Sequence, residues 1–367
     1  MYIQENNGWP GFRWDDSVVL PALAAVRHEQ GRLLGRMEGL GFDLRQEAGL
    51  QVLTSDVVRT AAIEGEILDV DEVRSSLARR LGLPDAGIRR PGRMVEGIVE
   101  MLLDATRNAS DPLTPKRLYG WHALLFPTGY SGSRPIAVGQ WRSMEAGPMQ
   151  VVSGPIGRER VHFEAPRAER LPDEMARFID WCNTETGIDP VLKAAITHLW
   201  FVTIHPFEDG NGRIARGLAD MMLARGDGCR DRFYSMSTQI EGEKKEYYRT
   251  LELSQRGNLD ITRWMAWFLG CLDRAVRDAD RLLAAVLRKA HIWQVIRDGG
   301  PLNDRQQLVI NRLLDGFQGW LTSSKYAKLA KCSADTALRD IGDLLRRGIL
   351  LKNRAGGRST SYRLCEK

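Results

Sequence analysis

No stretch of this sequence is long and apolar enough to cross a bilayer. The most apolar run, Trp264 to Leu272, falls far short of the ~20 residues a spanning helix needs. A signal-peptide pattern is missing too. Met1 to Asp16 mixes Glu5, Arg13, Asp15 and Asp16 with aromatics, leaving no uninterrupted apolar segment. Cysteine is scarce: Cys182, Cys229, Cys271, Cys332 and Cys365 are scattered, with no C-x-x-C among them. That argues against a zinc ribbon or a disulfide scaffold and for a reducing compartment. No internal repeat is evident. The expectation is a cytoplasmic protein without a membrane partner.

A strong charge of one sign is also absent. The net charge is +5 over 367 residues, but it is unevenly placed: Asn303 to Lys367 holds 13 Lys plus Arg against 6 Asp plus Glu. Any affinity for polyanions therefore belongs to that segment. With 43% hydrophobic and 27% charged residues the chain is an ordinary globular one, too long for a single core, so two or three domains are expected.

What is present is helical periodicity. Leu20 to Met37, Ser55 to Ile67, Arg93 to Thr106, Leu171 to Asn183 and Val191 to Ile204 repeat apolar residues every three or four positions. Ile261 to Arg297 reads as one long helix or two. A single strand signal interrupts the helices: Met149 to Ser153 and Arg158 to Phe163 flank a Gly/Pro turn, the pattern of a hairpin.

The segment from Ile204 to Arg216 carries the chemistry. Gly210, Asn211 and Gly212 tolerate left-handed backbone and can turn successive N–H groups into one concavity, a nest suited to phosphate. The helix that follows points its positive end at the same place. Arg213 and Arg216 lie in its first turns, where a cation is misplaced unless a polyanion binds; a simpler role for Arg216 is an i+4 pair with Asp220. Asp209 is a sensible Mg²⁺ ligand beside phosphates. His205 could accept a hydroxyl proton near neutral pH. A zinc site from His198, His205 and Glu208 or Asp209 is the alternative, but its spacing is looser than H-E-x-x-H and a third histidine is missing.

His205-Pro-Phe-Glu-Asp-Gly-Asn-Gly-Arg213-x-x-Arg216 resembles the Fic motif with every fixed position filled. The resemblance to the Fic family of protein adenylyltransferases runs from about Trp9 to Leu272, including Gly139-x-x-Arg142 and Tyr247-Tyr248-x-x-Leu251. It implies a mainly α fold: a helical Fic core with a β-hairpin flap. It further implies that His205 is the general base, that Asp209 holds Mg²⁺ (or Mn²⁺), and that Gly210, Asn211, Gly212, Arg213 and Arg216 bind ATP. Tyr247 and Tyr248 would border the adenine pocket or belong to the core. The flap residues Val151, Val152, Val161, His162 and Phe163 would dock a target protein by strand-like pairing. The implied reaction moves AMP from ATP to a Ser, Thr or Tyr hydroxyl of the target, or of the protein itself.

Thr60-Ala-Ala-Ile-Glu64-Gly65 resembles the family's inhibitory pattern on a helix beginning at Ser55. Glu64 would pair with Arg216 and take the place of the ATP γ-phosphate; the same glutamate leaves removal of AMP open as a second activity. Beyond Asn303 the pattern resembles a winged helix-turn-helix with Ser333 as N-cap of the recognition helix. There Thr336, Arg339, Lys352, Arg354 and Arg358 would meet DNA, unless the module serves dimerisation or target docking. The expected division is an N-terminal helical region over 1–90, a Fic domain over 91–272, a helical connector over 273–302 and the winged helix over 303–367. Two further readings remain: a nucleotide-sensing DNA-binding regulator, and transfer of another nucleotide such as UMP.

Overall fold

The computed structural model describes the whole chain except residues 84–90, 145–146, 155–157, 159, 230, 299, 315–316, 318, 354–359 and 366–367. The chain divides into two compact units, Met1–Leu282 and Leu283–Lys367.

The first unit is built around the most apolar helix, α7 (Pro190–Ile204), which is buried on nearly every side. A helix apolar all round belongs at the centre of a core, and here α8 (Asn211–Asp227) packs along it. Asp189 starts α7 by accepting from the Val191 N–H at 2.8 Å, with Pro190 at the first helical position. Around this pair stand α1 (Asp16–Glu38), α2 (Phe42–Ile63), α3 (Val70–Leu81), α4 (Arg93–Arg107), α5 (Pro115–Leu125) and α6 (Leu171–Thr184). The shell closes with α9 (Met236–Gly242), α10 (Lys244–Ser254) and the first part of α11 (Thr262–Asp298), which is one uninterrupted helix rather than two.

Apolar periodicity places the start of α2 at Ser55; the helix in fact begins at Phe42. Ser55 spends its hydroxyl on Thr238 of α9 at 3.1 Å instead of capping its own backbone. The far end also differs, with the last helical residue at Ile63 and not Ile67. Gly65 there adopts φ +87°, its N–H bonds the Ala62 carbonyl, and the Glu66 N–H bonds the Ala61 carbonyl, both at 3.0 Å. This left-handed stop turns the chain sharply and fans Glu64 and Glu66 out from the helix end.

Two short strands, β1 (Tyr130–Ser131) and β2 (Arg134–Pro135), precede the hairpin of β3 (Gln150–Ser153) and β4 (Arg160–Glu164). In the hairpin Val151 faces Phe163 and Val152 faces Val161, so a register shift leaves His162 as the extra residue. Phe163 is buried, edge-on to Tyr2 at 5.2 Å, while β3 is exposed along its length.

In the second unit α12 (Asp304–Leu314), β5 (Leu321–Thr322), α13 (Ser323–Leu329), α14 (Ala334–Arg346), β6 (Leu350–Lys352) and β7 (Ser361–Leu364) follow in order. The strands form one antiparallel sheet, β5-β7-β6. Val309, Ile310, Tyr326, Ile341 and Leu344 fill its core. Ser333 accepts from the Thr336 N–H at 3.2 Å as the cap of α14. Arg354 and Arg358 lie outside the described residues.

Candidate active site

The end of α7 and the start of α8 are joined by a loop that its own side chains hold closed. Asn211 accepts from the Phe207 N–H at 3.0 Å and donates to the Phe207 carbonyl at 2.8 Å. Gly210 sits at φ +79°, and a Cβ there would come within 2.8 Å of the Phe126 ring. Only glycine fits that corner. The side chain of Asn211 is thus a brace, and the surface offered to a ligand is the backbone of the loop and the first turn of α8.

His205 closes α7 in the left-handed region, φ 51° and ψ 58°. Its Nδ1 lies 3.2 Å from the Val202 carbonyl. A carbonyl only accepts, so Nδ1 carries the hydrogen and Nε2 keeps its lone pair. Burial, with Arg142 adding positive charge nearby, pushes the ring down to about 4. At neutral pH His205 is therefore a free base. It lines a cavity of about 590 Å³ together with Glu64, Val151, His162, Gly212 and Tyr248.

Both arginines of the loop face carboxylates from the end of α2. Arg216 donates to Glu64 Oε1 at 2.7 Å and, through Nε, to the Thr60 hydroxyl at 2.8 Å. A Cβ on Gly212 would stand 2.4 Å from the same Glu64 oxygen, so that carboxylate lies over the first turn of α8. Arg213 pairs with Glu66 at 2.9 and 3.0 Å and rests over the Phe126 ring at 5.0 Å. Among the described residues its Nε is buried without a hydrogen-bond partner. The Glu64 carboxylate thus lies at the positive end of α8, where the helix dipole favours an anion. The i+4 pair suggested for Arg216 is not made: Asp220 bonds Arg232 at 2.7 Å instead.

Asp209 accepts from the Gly210 N–H at 2.6 Å and from the Ser131 hydroxyl. Among the described residues no group of three or more His, Cys, Asp or Glu could hold a metal, and His198 is spoken for, its Nε2 2.9 Å from the Tyr247 hydroxyl. The zinc alternative fails on that geometry. A lone carboxylate still fits Mg²⁺, which usually takes one or two carboxylates and completes its shell with waters and substrate phosphates.

Tyr247 and Tyr248 differ in burial. Tyr247 is buried against Trp264 and Trp267, whereas Tyr248 is 42% exposed. Both also line the cavity. On the flap Val151 and Val152 are exposed, Val161 is half-buried, and His162 bonds Glu252 of α10 at 2.8 Å. Thr336 of α14 is half-buried and bonds Ser333, while Arg339 and Lys352 are exposed.

Two site residues escape a reading of the sequence, and a third is named there without a role. Glu66 follows Glu64 by two, and only the left-handed turn at Gly65 reveals that both carboxylates reach arginines. His122 of α5 stacks on Phe207 at 4.2 Å and accepts from the Gly139 N–H at 3.1 Å, bracing the loop from behind. Arg142, visible only as part of Gly139-x-x-Arg142, donates to the carbonyl of His205 at 2.8 Å.

Residues 112–223 match the Fic/DOC family, and residues 2–83 match a domain of unknown function, DUF4172. The chain is 28% identical over 206 residues to the protein adenylyltransferase fic-1 of Caenorhabditis briggsae, covering 55% of this chain and 37% of that protein. It is 24% identical over 257 residues to the protein adenylyltransferase Fic of Culex quinquefasciatus, covering 68% of this chain and 46% of that one. The chain thus spans less than half the length of these relatives. A Fic family protein from Desulfovibrio desulfuricans G20 superposes with a TM-score of 0.53 at 23% identity, over 95% of this chain and 97% of that one. A Fic domain-containing signalling protein from Bacteroides thetaiotaomicron VPI-5482 gives a TM-score of 0.54 at 20% identity, over 71% and 98%.

Proposed function

Because this chain carries a Fic domain, we propose that the protein is an adenylyltransferase that moves AMP from ATP to a hydroxyl of a target protein, and that it restrains itself through the end of α2. The observation that carries this reading is the Glu64 carboxylate on Arg216, 2.7 Å away, at the mouth of the loop that follows a neutral His205.

In the active state the nucleotide phosphates replace the carboxylates at the start of α8. The backbone N–H groups of Gly212 and Arg213 and the two guanidiniums then hold the triphosphate in line. His205 Nε2 takes the proton of the target hydroxyl as its oxygen attacks the α-phosphorus, and pyrophosphate leaves. Catalysis of this kind comes mostly from positioning and charge. Asp209 would hold Mg²⁺, whose contribution is to neutralise the departing phosphates. The exposed edge of β3, with Val151 and Val152, offers a strand-pairing surface beside the cavity for the target segment.

The brake has two arms. Glu64 blocks Arg216, and Glu66 blocks Arg213. Glu64 would also orient water towards AMP on a modified target, making the reverse reaction a second use of the same site.

The second unit would act as a winged helix, with α14 as its recognition helix. Asp340, which dilutes the positive charge of α14 in sequence, is turned inward onto Arg305 at 2.9 Å and the Tyr326 hydroxyl at 3.1 Å. That leaves Arg339 on the outer face and favours a DNA-binding role for Thr336, Arg339 and Lys352. The full chain should then bind duplex DNA with an affinity that falls steeply with salt.

The deciding experiment measures AMP incorporation from labelled ATP with Mg²⁺ by wild type, Glu64→Gly, and Glu64→Gly with His205→Ala. A signal that rises in the single variant and vanishes in the double one supports both base and brake. ATP binding without incorporation in all three points to another donor nucleotide or to the regulator reading.

A further inference from the structure

A buried cation whose side-chain hydrogen bonds, among the described residues, go to main-chain carbonyls and not to a carboxylate calls for another reason to be where it is. Arg142 is only 4% exposed, and burial pulls its guanidinium down to about 10. It spends its hydrogens on main-chain carbonyls: Nε donates to His205 at 2.8 Å, and Nη2 donates to Pro166 at 2.5 Å. Its own backbone N–H donates to the Pro206 carbonyl at 2.8 Å. These acceptors come from two places. His205 and Pro206 form the turn out of α7, and Pro166 lies just past β4 at the base of the flap.

The turn needs such a clamp. A residue with a Cβ holds a left-handed conformation only where its surroundings over-determine it, and His205 sits at φ 51°. Release of its carbonyl would let the backbone relax and swing the imidazole away from the cavity. The other charged or titratable groups near His205 are Asp209 in its own loop and Glu64 from α2. Lys245, Tyr248, Arg249 and Glu252 of α10 and His162 of β4 line the same cavity. The hydrogen bonds to the carbonyls of His205 and Pro206 come from Arg142.

We propose that Arg142 is a positioning residue that locks the left-handed turn aiming His205 into the cavity and ties that turn to the base of the flap. The proposal rests on the reading of His205 as the base. Its planar fork suits the task, since one guanidinium spans two carbonyls that a lysine ammonium cannot hold in the same geometry. The cation also favours the neutral form of the imidazole beside it.

The test compares Arg142→Lys and Arg142→Met in the full chain carrying Glu64→Gly. Arg142→Met should lower kcat of AMP transfer by about tenfold to a hundredfold, the cost of a misplaced reacting group, with KM for ATP little changed. Its acid limb should move up towards the ordinary histidine value of ~6.5. Arg142→Lys should lose part of kcat while its acid limb stays in place. A kcat within about twofold of the parent in either variant, or a loss of ATP affinity that accounts for the whole effect, would overturn the proposal. If Arg142→Met does not fold, the kcat of Arg142→Lys decides. If the Glu64→Gly parent transfers no AMP, the functional reading is what has failed, and the clamp is judged by NMR titration of the His205 ring without nucleotide. An upward move in Arg142→Met sustains it, and an unmoved ring refutes it.

Discussion

Arg213 Nη1 donates to both carboxylate oxygens of Glu66, at 3.0 and 2.9 Å, across 147 residues of sequence. The guanidinium is almost fully buried and the carboxylate is 31% exposed, so solvent screens one side of the pair. Such a pair is worth about 1 kcal/mol. On the two-armed brake, Glu66→Gln alone should therefore tighten ATP binding by roughly fivefold, and Glu64→Gly with Glu66→Gln should exceed Glu64→Gly. Calorimetric titration with ATP reads this directly. Weaker binding in Glu66→Gln would mean instead that Glu66 holds Arg213 ready for the nucleotide.

Asp209→Asn keeps an acceptor for the Gly210 N–H and removes the negative charge. With the brake released by Glu64→Gly, AMP transfer by this variant should fall by about a hundredfold or more, because the neighbouring carboxylate, Glu208, is turned onto Arg134 at 3.5 Å. ATP affinity without metal should change far less. Equal Mg²⁺ dependence in the variant and its parent would remove Asp209 from the metal.

The residues from His205 to Arg216 were legible because they are contiguous: a turn, a nest and a helix start leave a local pattern. What they meet was not. Glu66 and Arg142 act on residues 147 and 63 positions away, and nothing in their immediate sequence reports those partners. The beginning of α2 was missed because the periodic reading was taken only from Ser55, although the helix starts at Phe42 and already buries Leu50, Val52 and Leu53. Alternation marked the hairpin, yet could not tell that Phe163 turns inward onto Tyr2 while Val151 and Val152 stay in solvent. Helical periodicity fixed most boundaries of α4, α6 and α7 to within a residue or so, because each has one continuous apolar face or is apolar throughout.

Buried histidines give the fold a pH dependence with a definite sign. His198 is 1% exposed, and burial, with Arg216 nearby, pushes it down to about 3. Unfolded, it titrates near ~6.5. As pH falls below that value the unfolded chain takes a proton that the folded one refuses, so stability is lost as pH falls. His122 acts in the same direction, at about 4. Asp220, raised by burial to about 8, acts in the opposite one, holding a proton in the fold that the unfolded chain releases. A difference measurement separates them. His198→Gln keeps a partner for the Tyr247 hydroxyl but cannot titrate, so its stability deficit relative to wild type should shrink by about 1.4 kcal/mol per pH unit between pH ~6.5 and ~4. Denaturant midpoints across that range test it, and a deficit that stays constant would show that His198 is protonated in the folded state.

The seam between α4 and α5 supplies a test of packing that is independent of the chemistry. Gly97 lies so close to α5 that a Cβ would meet the Leu124 carbonyl oxygen at 1.9 Å, backbone against backbone, with no flexible side chain to yield. Gly97→Ala must part the helices, at a cost of about 1–3 kcal/mol even though alanine is the better helix former. At Gly31 and Gly35, on the outer face of α1, an added Cβ would find nothing within 4 Å. Alanine at either should stabilise by roughly 0.5–1 kcal/mol. Thermal unfolding should thus move in opposite directions, down by several degrees for Gly97→Ala and slightly up for Gly35→Ala, at about 2–4 °C per kcal/mol for a unit of this size. A Gly97→Ala protein as stable as wild type would mean that α4 and α5 are farther apart in solution than this packing allows.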